Sequence, residues 1–210
     1  MVMASAGLML VGACMLIFVV LHIVDRRTDP VERTLSEYAL NDVGWLFPVA
    51  VFAVAAAAVL LAAGLHQFAP RAPAAALVLL TVFAAAMTVT GIVRTDAMDP
   101  RADDVAMSAS GGVHASAGFV AIVSLCVAAP MLSSALAGLG ASRIGAELIG
   151  WLPAFGAAVF AVTVVARGPI ERFSGRVSLH GIGERFGLGG FIIWIAYATL
   201  TLLTAKTTRM

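Results

Sequence analysis

Residues 45–68 read WLFPVAVFAVAAAAVLLAAGLHQF, 24 positions without one Asp, Glu, Lys or Arg. Crossing about 30 Å of hydrocarbon at about 1.5 Å per helical residue takes about 20 residues, so this stretch can span a bilayer. Its consecutive alanines at 55–58, with Gly64 beyond them, are small residues that let helix backbones approach closely in lipid. The run is continuous rather than alternating, which disfavours a strand of a transmembrane barrel.

Runs of the same kind lie on either side, at 2–24, 72–93, 113–136, 149–166 and 186–205. The whole chain agrees with them. Its 210 residues are 61% hydrophobic and 12% charged, with a mean hydropathy of +1.00. An ordinary soluble domain carries about 25% charged residues. The expected fold is all-α: a polytopic membrane protein, one six-transmembrane-helix bundle over residues 1–210, with short interfacial helices in the loops on one face. The first run has no Lys or Arg ahead of it and no Ala-x-Ala exit before Asp25, so it reads as a retained helix rather than a signal peptide. Pro130, late in the fourth run, is expected to kink that helix or end its regular part.

Charge is unevenly placed. Loops after the second and fourth helices are short and nearly bare, with Arg71 in one and Arg143 and Glu147 in the other. Loops after the first, third and fifth are longer and crowded. With an even number of spans the two kinds lie on opposite faces. The crowded face holds nine Arg and eleven Asp or Glu, while the bare face, with both termini, holds four basic residues and one acid. A net charge of +1 without basic tracts or zinc-finger spacing excludes nucleic acid as a partner. Cys14 and Cys126 fall inside apolar runs and read as packing residues.

In the first crowded loop, Asp29 and Pro30 suit a helix start, and Val31, Leu35 and Tyr38 recur at helical spacing, which predicts a short helix at the interface. The last crowded loop, 167–185, repeats the style with Ile170, Phe173 and Val177. No ionisable residue lies near the middle of any expected span, which disfavours a proton-coupled pump. Chemistry is therefore expected on the crowded face. His22, His114 and His180 gather there, with Asp25, Asp96, Asp99, Asp103 and Asp104 near in sequence. His22, Asp96, His114 and His180 are the candidate metal ligands, with zinc as the metal, although no HxxxH, HExxH or CxxC spacing fixes them. Haem is disfavoured, because His66 stands alone on the bare face where a six-helix cytochrome needs a second pair. No cofactor is expected to be required. Arg94, Arg167, Arg172 and Arg185 could hold a phosphate or carboxylate, such as a lipid head group, or else pin the loops through Glu171 and Glu184.

Ser36-Glu37 follows the first helix. Asp96 lies just past the third, and His114 opens the fourth after Gly111-Gly112. Gly181-Ile182-Gly183-Glu184-Arg185 leads into the sixth, which carries Trp194. In these motifs the chain resembles the bacterial six-helix membrane proteins grouped as domain-of-unknown-function family 998, over nearly its whole length. It departs from them at 93–96, where the family often has Phe-Pro-x-Asp and this chain has Val-Arg-Thr-Asp. The resemblance implies fold and topology and supplies no reaction. It singles out Ser36, Glu37, Asp96, His114, Glu184 and Arg185, to which charge placement adds Arg94. It also implies that the short basic loops and tail face the cytoplasm, against a bare Lys and Arg count. Both termini of this multi-pass cell-membrane protein are accordingly expected inside. The expected function is a polar pocket for a polar or anionic group of a membrane lipid. The alternatives are a metal-assisted lipid hydrolase or transferase, and an accessory subunit packed against a larger membrane protein.

Overall fold

A computed structural model of the chain describes residues 2–97, 107–166 and 178–207. Asp99, Asp103, Asp104, Arg167, Ile170, Glu171, Arg172, Phe173 and Val177 lie outside the described residues. Within them the chain is helical, with no strand: α1 (Val2–Val24), a 3-10 helix (Leu35–Leu40), α2 (Leu46–Phe68), α3 (Ala74–Ile92), α4 (Ala109–Gly138), α5 (Arg143–Gly150), α6 (Leu152–Val165) and α7 (His180–Thr207). Six segments are long and apolar enough to cross a membrane, α5 and α6 together making the fifth. The protein is a multi-pass membrane protein.

Successive helices α1 to α4 pack as neighbours, and α7 closes the bundle against α6, α1 and α2. Leu61, Leu65, Leu80, Phe83, Leu125, Leu132, Trp194 and Ile195 form its dry centre, each 0 or 1% exposed. In lipid no hydrophobic gain separates the inside of a bundle from its outside, so close backbone approach supplies much of the association. Gly64 illustrates it: a Cβ there would overlap Leu202 of α7. Helix-borne hydroxyls bond back to the carbonyl four residues earlier, as Thr90 does to Ala86 (3.0 Å) and Thr199 to Ile195 (2.7 Å). No water is present at that depth to satisfy them otherwise.

Three boundaries differ from the hydropathy reading, each for a polar reason. Helix α4 starts at Ala109 because the Ser108 hydroxyl accepts the Gly111 N–H (3.0 Å). Helix α5 starts at Arg143, six residues before the apolar run, because Ser142 accepts the Gly145 N–H (2.9 Å). Helix α7 starts at His180, so Glu184 and Arg185 lie in its first turns rather than in a loop. Pro130 sits inside an unbroken α4. Helix α5 braces it there: Gly150 packs on Pro130, and the Ser133 hydroxyl donates to Ala146 O (2.9 Å). The first crowded loop also departs from expectation. Asp29 accepts the Val31 N–H (2.8 Å) in a single turn, and the 3-10 helix begins later, with Leu35, Ser36, Glu37 and Tyr38 buried against the bundle.

Candidate functional site

The sequence motifs turn out to be the fastenings of the crowded face. Gly181 lies where a Cβ would overlap Arg33 O and come within 2.7 Å of Pro30 O, so only glycine lets the first loop rest on α7. The Ile182 N–H then donates to Val31 O (3.2 Å). Gly183 leaves room for Thr163 of α6, whose hydroxyl a side chain would strike. Glu184 accepts the Leu35 N–H through Oε2 and so holds the start of the 3-10 helix. Arg185 donates from Nε to His22 Nε2 (2.8 Å) and from one terminal nitrogen to Arg33 O (2.9 Å) and Gly181 O (2.8 Å). Its other terminal nitrogen reaches the Tyr38 hydroxyl (3.4 Å), and the guanidinium lies 5.7 Å from the Tyr38 ring centroid. Each of the five residues thus joins α7 to a neighbour.

The remaining candidates divide into braced side chains and exposed ones. His22 Nδ1 donates to Phe18 O (2.6 Å), and its Nε2 is taken by Arg185, so both ring nitrogens are occupied. Glu37 pairs with Arg33 (3.0 Å) and accepts from the Thr34 N–H (3.3 Å) and hydroxyl (3.2 Å). Asp96 accepts from the Ser108 hydroxyl (2.6 Å) and N–H (2.7 Å), and these two bonds hold its carboxyl below the usual range. Gly111 is the counterpart of that bond, since a Cβ there would overlap the Asp96 carboxylate. Asp25 is fixed likewise. Burial alone would raise its carboxyl, but hydrogen bonds from the Thr28 hydroxyl, the Arg27 N–H and the Asn41 amide outweigh it and hold it low. Burial pushes the Tyr38 phenol up, against the pull of Arg185. Arg94 is exposed at the edge of a smaller hollow beside Trp45.

Behind these fastenings lies a cavity of about 390 Å³, a size typical of small-molecule sites. Every spanning segment contributes to it. Phe18, Phe47, Val51, Met87, Phe160 and Phe191 make apolar walls, and Ser36, Thr95, His114, His180 and Glu184 make the polar end. Phe119 of α4 and Val164 of α6 line it and are 66% and 42% exposed, so the cavity borders the bundle's surface at those helices. His114 Nδ1 faces Val93 O at 2.8 Å, and since a carbonyl only accepts, that nitrogen carries the hydrogen and Nε2 is left as an acceptor. His180 stacks edge-on to Phe160.

Ser36, His114 and Glu184 therefore meet at one cavity with His180. Glu37 and Arg185 brace its wall, Asp96 fixes the adjacent turn, and Arg94 lies outside. Among the described residues no three His, Cys, Asp or Glu side chains are placed to hold a metal ion. Thr34, Thr163 and Ser108, which the sequence reading passed over, hold the cluster in place; a hydroxyl at a helix end or facing a glycine was their only signal.

No curated protein and no solved structure matches the chain. The family profile described as "Protein of unknown function (DUF998)" matches residues 5–201. That range takes in the first-loop, Asp96, Gly111-His114 and Gly181–Arg185 motifs alike, and by it the chain belongs to the DUF998 family.

Proposed function

We propose that this protein binds the head-group end of a membrane amphiphile in the cavity between α4, α6 and α7. One observation carries the reading: Glu184 and His114 line an otherwise largely apolar chamber, which is also bordered by residues of the bundle's outer surface such as Phe119 and Val164. A purely structural void in such a bundle would have apolar lining throughout, because buried polar groups without partners are costly. Taking a water-sized volume of about 30 Å³ per heavy atom, the chamber holds on the order of a dozen atoms. That suits a head group and the first part of one chain, with the remainder leaving past Phe119 and Val164. The host is the cell membrane. Both termini lie in the cytoplasm, because the bare face carries the surplus of positive charge; reporter fusions at each end test that orientation.

Gly118 provides the functional test. It lines the cavity, and a Cβ built there meets nothing within 4 Å, so Gly118→Phe fills the chamber without disturbing a fastening. Native mass spectrometry from mild detergent should find lipid on the wild-type protein and little on Gly118→Phe at equal thermal stability. Equal lipid on both would refute the proposal.

A further inference from the structure

The chemistry of the head group follows from which atoms line the polar end, an inference that rests on the cavity reading above. Glu184 spends Oε2 on the Leu35 N–H. Among the described residues its Oε1 has no hydrogen-bond partner and is not a sealed, unsatisfied atom, and Glu184 lines the cavity. His114 also lines the cavity, and with its Nδ1 hydrogen committed to Val93 O the neutral ring keeps Nε2 as its acceptor. Around them the Ser36 and Thr95 hydroxyls can accept as well as donate. Glu184, His114 and the two hydroxyls thus each offer an acceptor atom to the site.

Among the described residues no Lys or Arg lines the cavity. Arg185 is one helical position from Glu184, but its donors go to His22, Arg33 O, Gly181 O and Tyr38. Arg33 is held by Glu37. A phosphate or carboxylate entering here would meet the Glu184 carboxyl group and an imidazole lone pair, with no Lys or Arg among the described lining residues to receive it. An ammonium or hydroxyl would instead supply the missing donors.

We infer that the cavity selects amphiphiles whose head group donates hydrogen bonds, an amine first and a hydroxyl second, and rejects those that end in a free phosphate or carboxylate. Glu184 is the selecting residue, and His114 accepts a second hydrogen from the same head group.

The test uses the full-length protein in phosphatidylcholine nanodiscs and three single-chain probes of equal chain length: dodecylamine, monolauroylglycerol and dodecyl phosphate. Binding is read by native mass spectrometry as the saturable component that Gly118→Phe removes. Dodecylamine should bind at least about tenfold more tightly than dodecyl phosphate, with monolauroylglycerol between them. Glu184→Gln keeps an oxygen for the Leu35 N–H, so it should fold, lose about tenfold in dodecylamine affinity and hold monolauroylglycerol within about threefold. Should that variant fail to fold, the ranking of the three probes on the wild-type protein decides alone. Dodecyl phosphate binding as tightly as the amine, in a component that Gly118→Phe removes, would overturn the head-group inference and leave the cavity reading standing. Probe binding that is identical in wild type and Gly118→Phe would overturn both.

Discussion

Replacing Arg185 by alanine should cost about 3 kcal/mol of stability, because three well-formed hydrogen bonds end with its guanidinium. Each bond from a charged donor is worth about 1.5–3 kcal/mol in a protein, and these are not additive. The total falls below the simple sum, because the side chain is only partly buried and water or lipid head groups can replace some bonds. The loss includes the Tyr38 ring contact and leaves His22 Nε2 and Arg33 O without their donor. For a chain of this length each kcal/mol moves the unfolding midpoint by about 2–4 °C, so Arg185→Ala should unfold about 6–12 °C lower. The assay is thermal unfolding in one mild detergent, followed by thiol-reactive dye at buried Cys14. Arg185→Lys should recover little, since an ammonium cannot address His22, Arg33 O and Gly181 O in the planar fork that the guanidinium provides. A cycle with His22→Ala isolates the pair, and a coupling of about 1–2 kcal/mol is expected. A midpoint for Arg185→Ala within about 1 °C of wild type would refute the assignment of Arg185 as a structural staple. The guanidinium would then be free to serve a ligand.

Glycine substitutions give a sharper contrast. Gly111→Ala and Gly181→Ala push a methyl group into Asp96 and Arg33 O respectively and should each cost about 1–3 kcal/mol. Gly112→Ala, whose Cβ would meet only the Met107 sulfur at 3.8 Å, should be neutral or slightly stabilising in the same unfolding assay. Acid should weaken the crowded face. Asp25 and Asp96 are both held below the ordinary carboxylate value of about 3.9. A carboxylate lowered on folding contributes its full share above its unfolded value and loses it as pH falls through the folded one, so the unfolding midpoint should drop below about pH 4. Asp96→Asn should flatten that drop while lowering the midpoint near pH 7; an unchanged acid limb would count against the Ser108 bonds.

Much of the fold is legible in the sequence because lipid imposes a one-dimensional rule: apolar length. The 45–68 run came out as α2 with only its first residue lost, and Ala57, Ala58 and Gly64 are packed against neighbours as small residues should be. Where hydropathy failed, a hydroxyl had won. Ser108 and Ser142 start α4 and α5 inside stretches that transfer energies score as loop. Pro130 does not end α4, which runs on to Gly138, and the helix that packs beside it lies in a separate run of sequence.

The site was legible as a list of residues and illegible as roles. Glu184, Arg185, His114 and Asp96 read from sequence as equal members of one polar cluster. In the folded chain one lines a cavity, one is a staple across 163 residues of sequence to His22, one lies between Val93 and the cavity, and one holds Ser108, the cap of α4. Long-range pairing of that kind leaves no local spacing to find. Its trace is the glycines, since Gly111, Gly181 and Gly183 mark where another element must come close.

The most direct measurement is an experimental structure of the protein in native lipid, at a resolution that distinguishes a bound chain. The account predicts elongated density entering between Phe119 and Val164, running past Phe47 and Met87, and ending in contact with Glu184. A chamber closed by repacked side chains, or lipid confined to the outer surface of α1 to α7 with the space beside Glu184 empty, would contradict it.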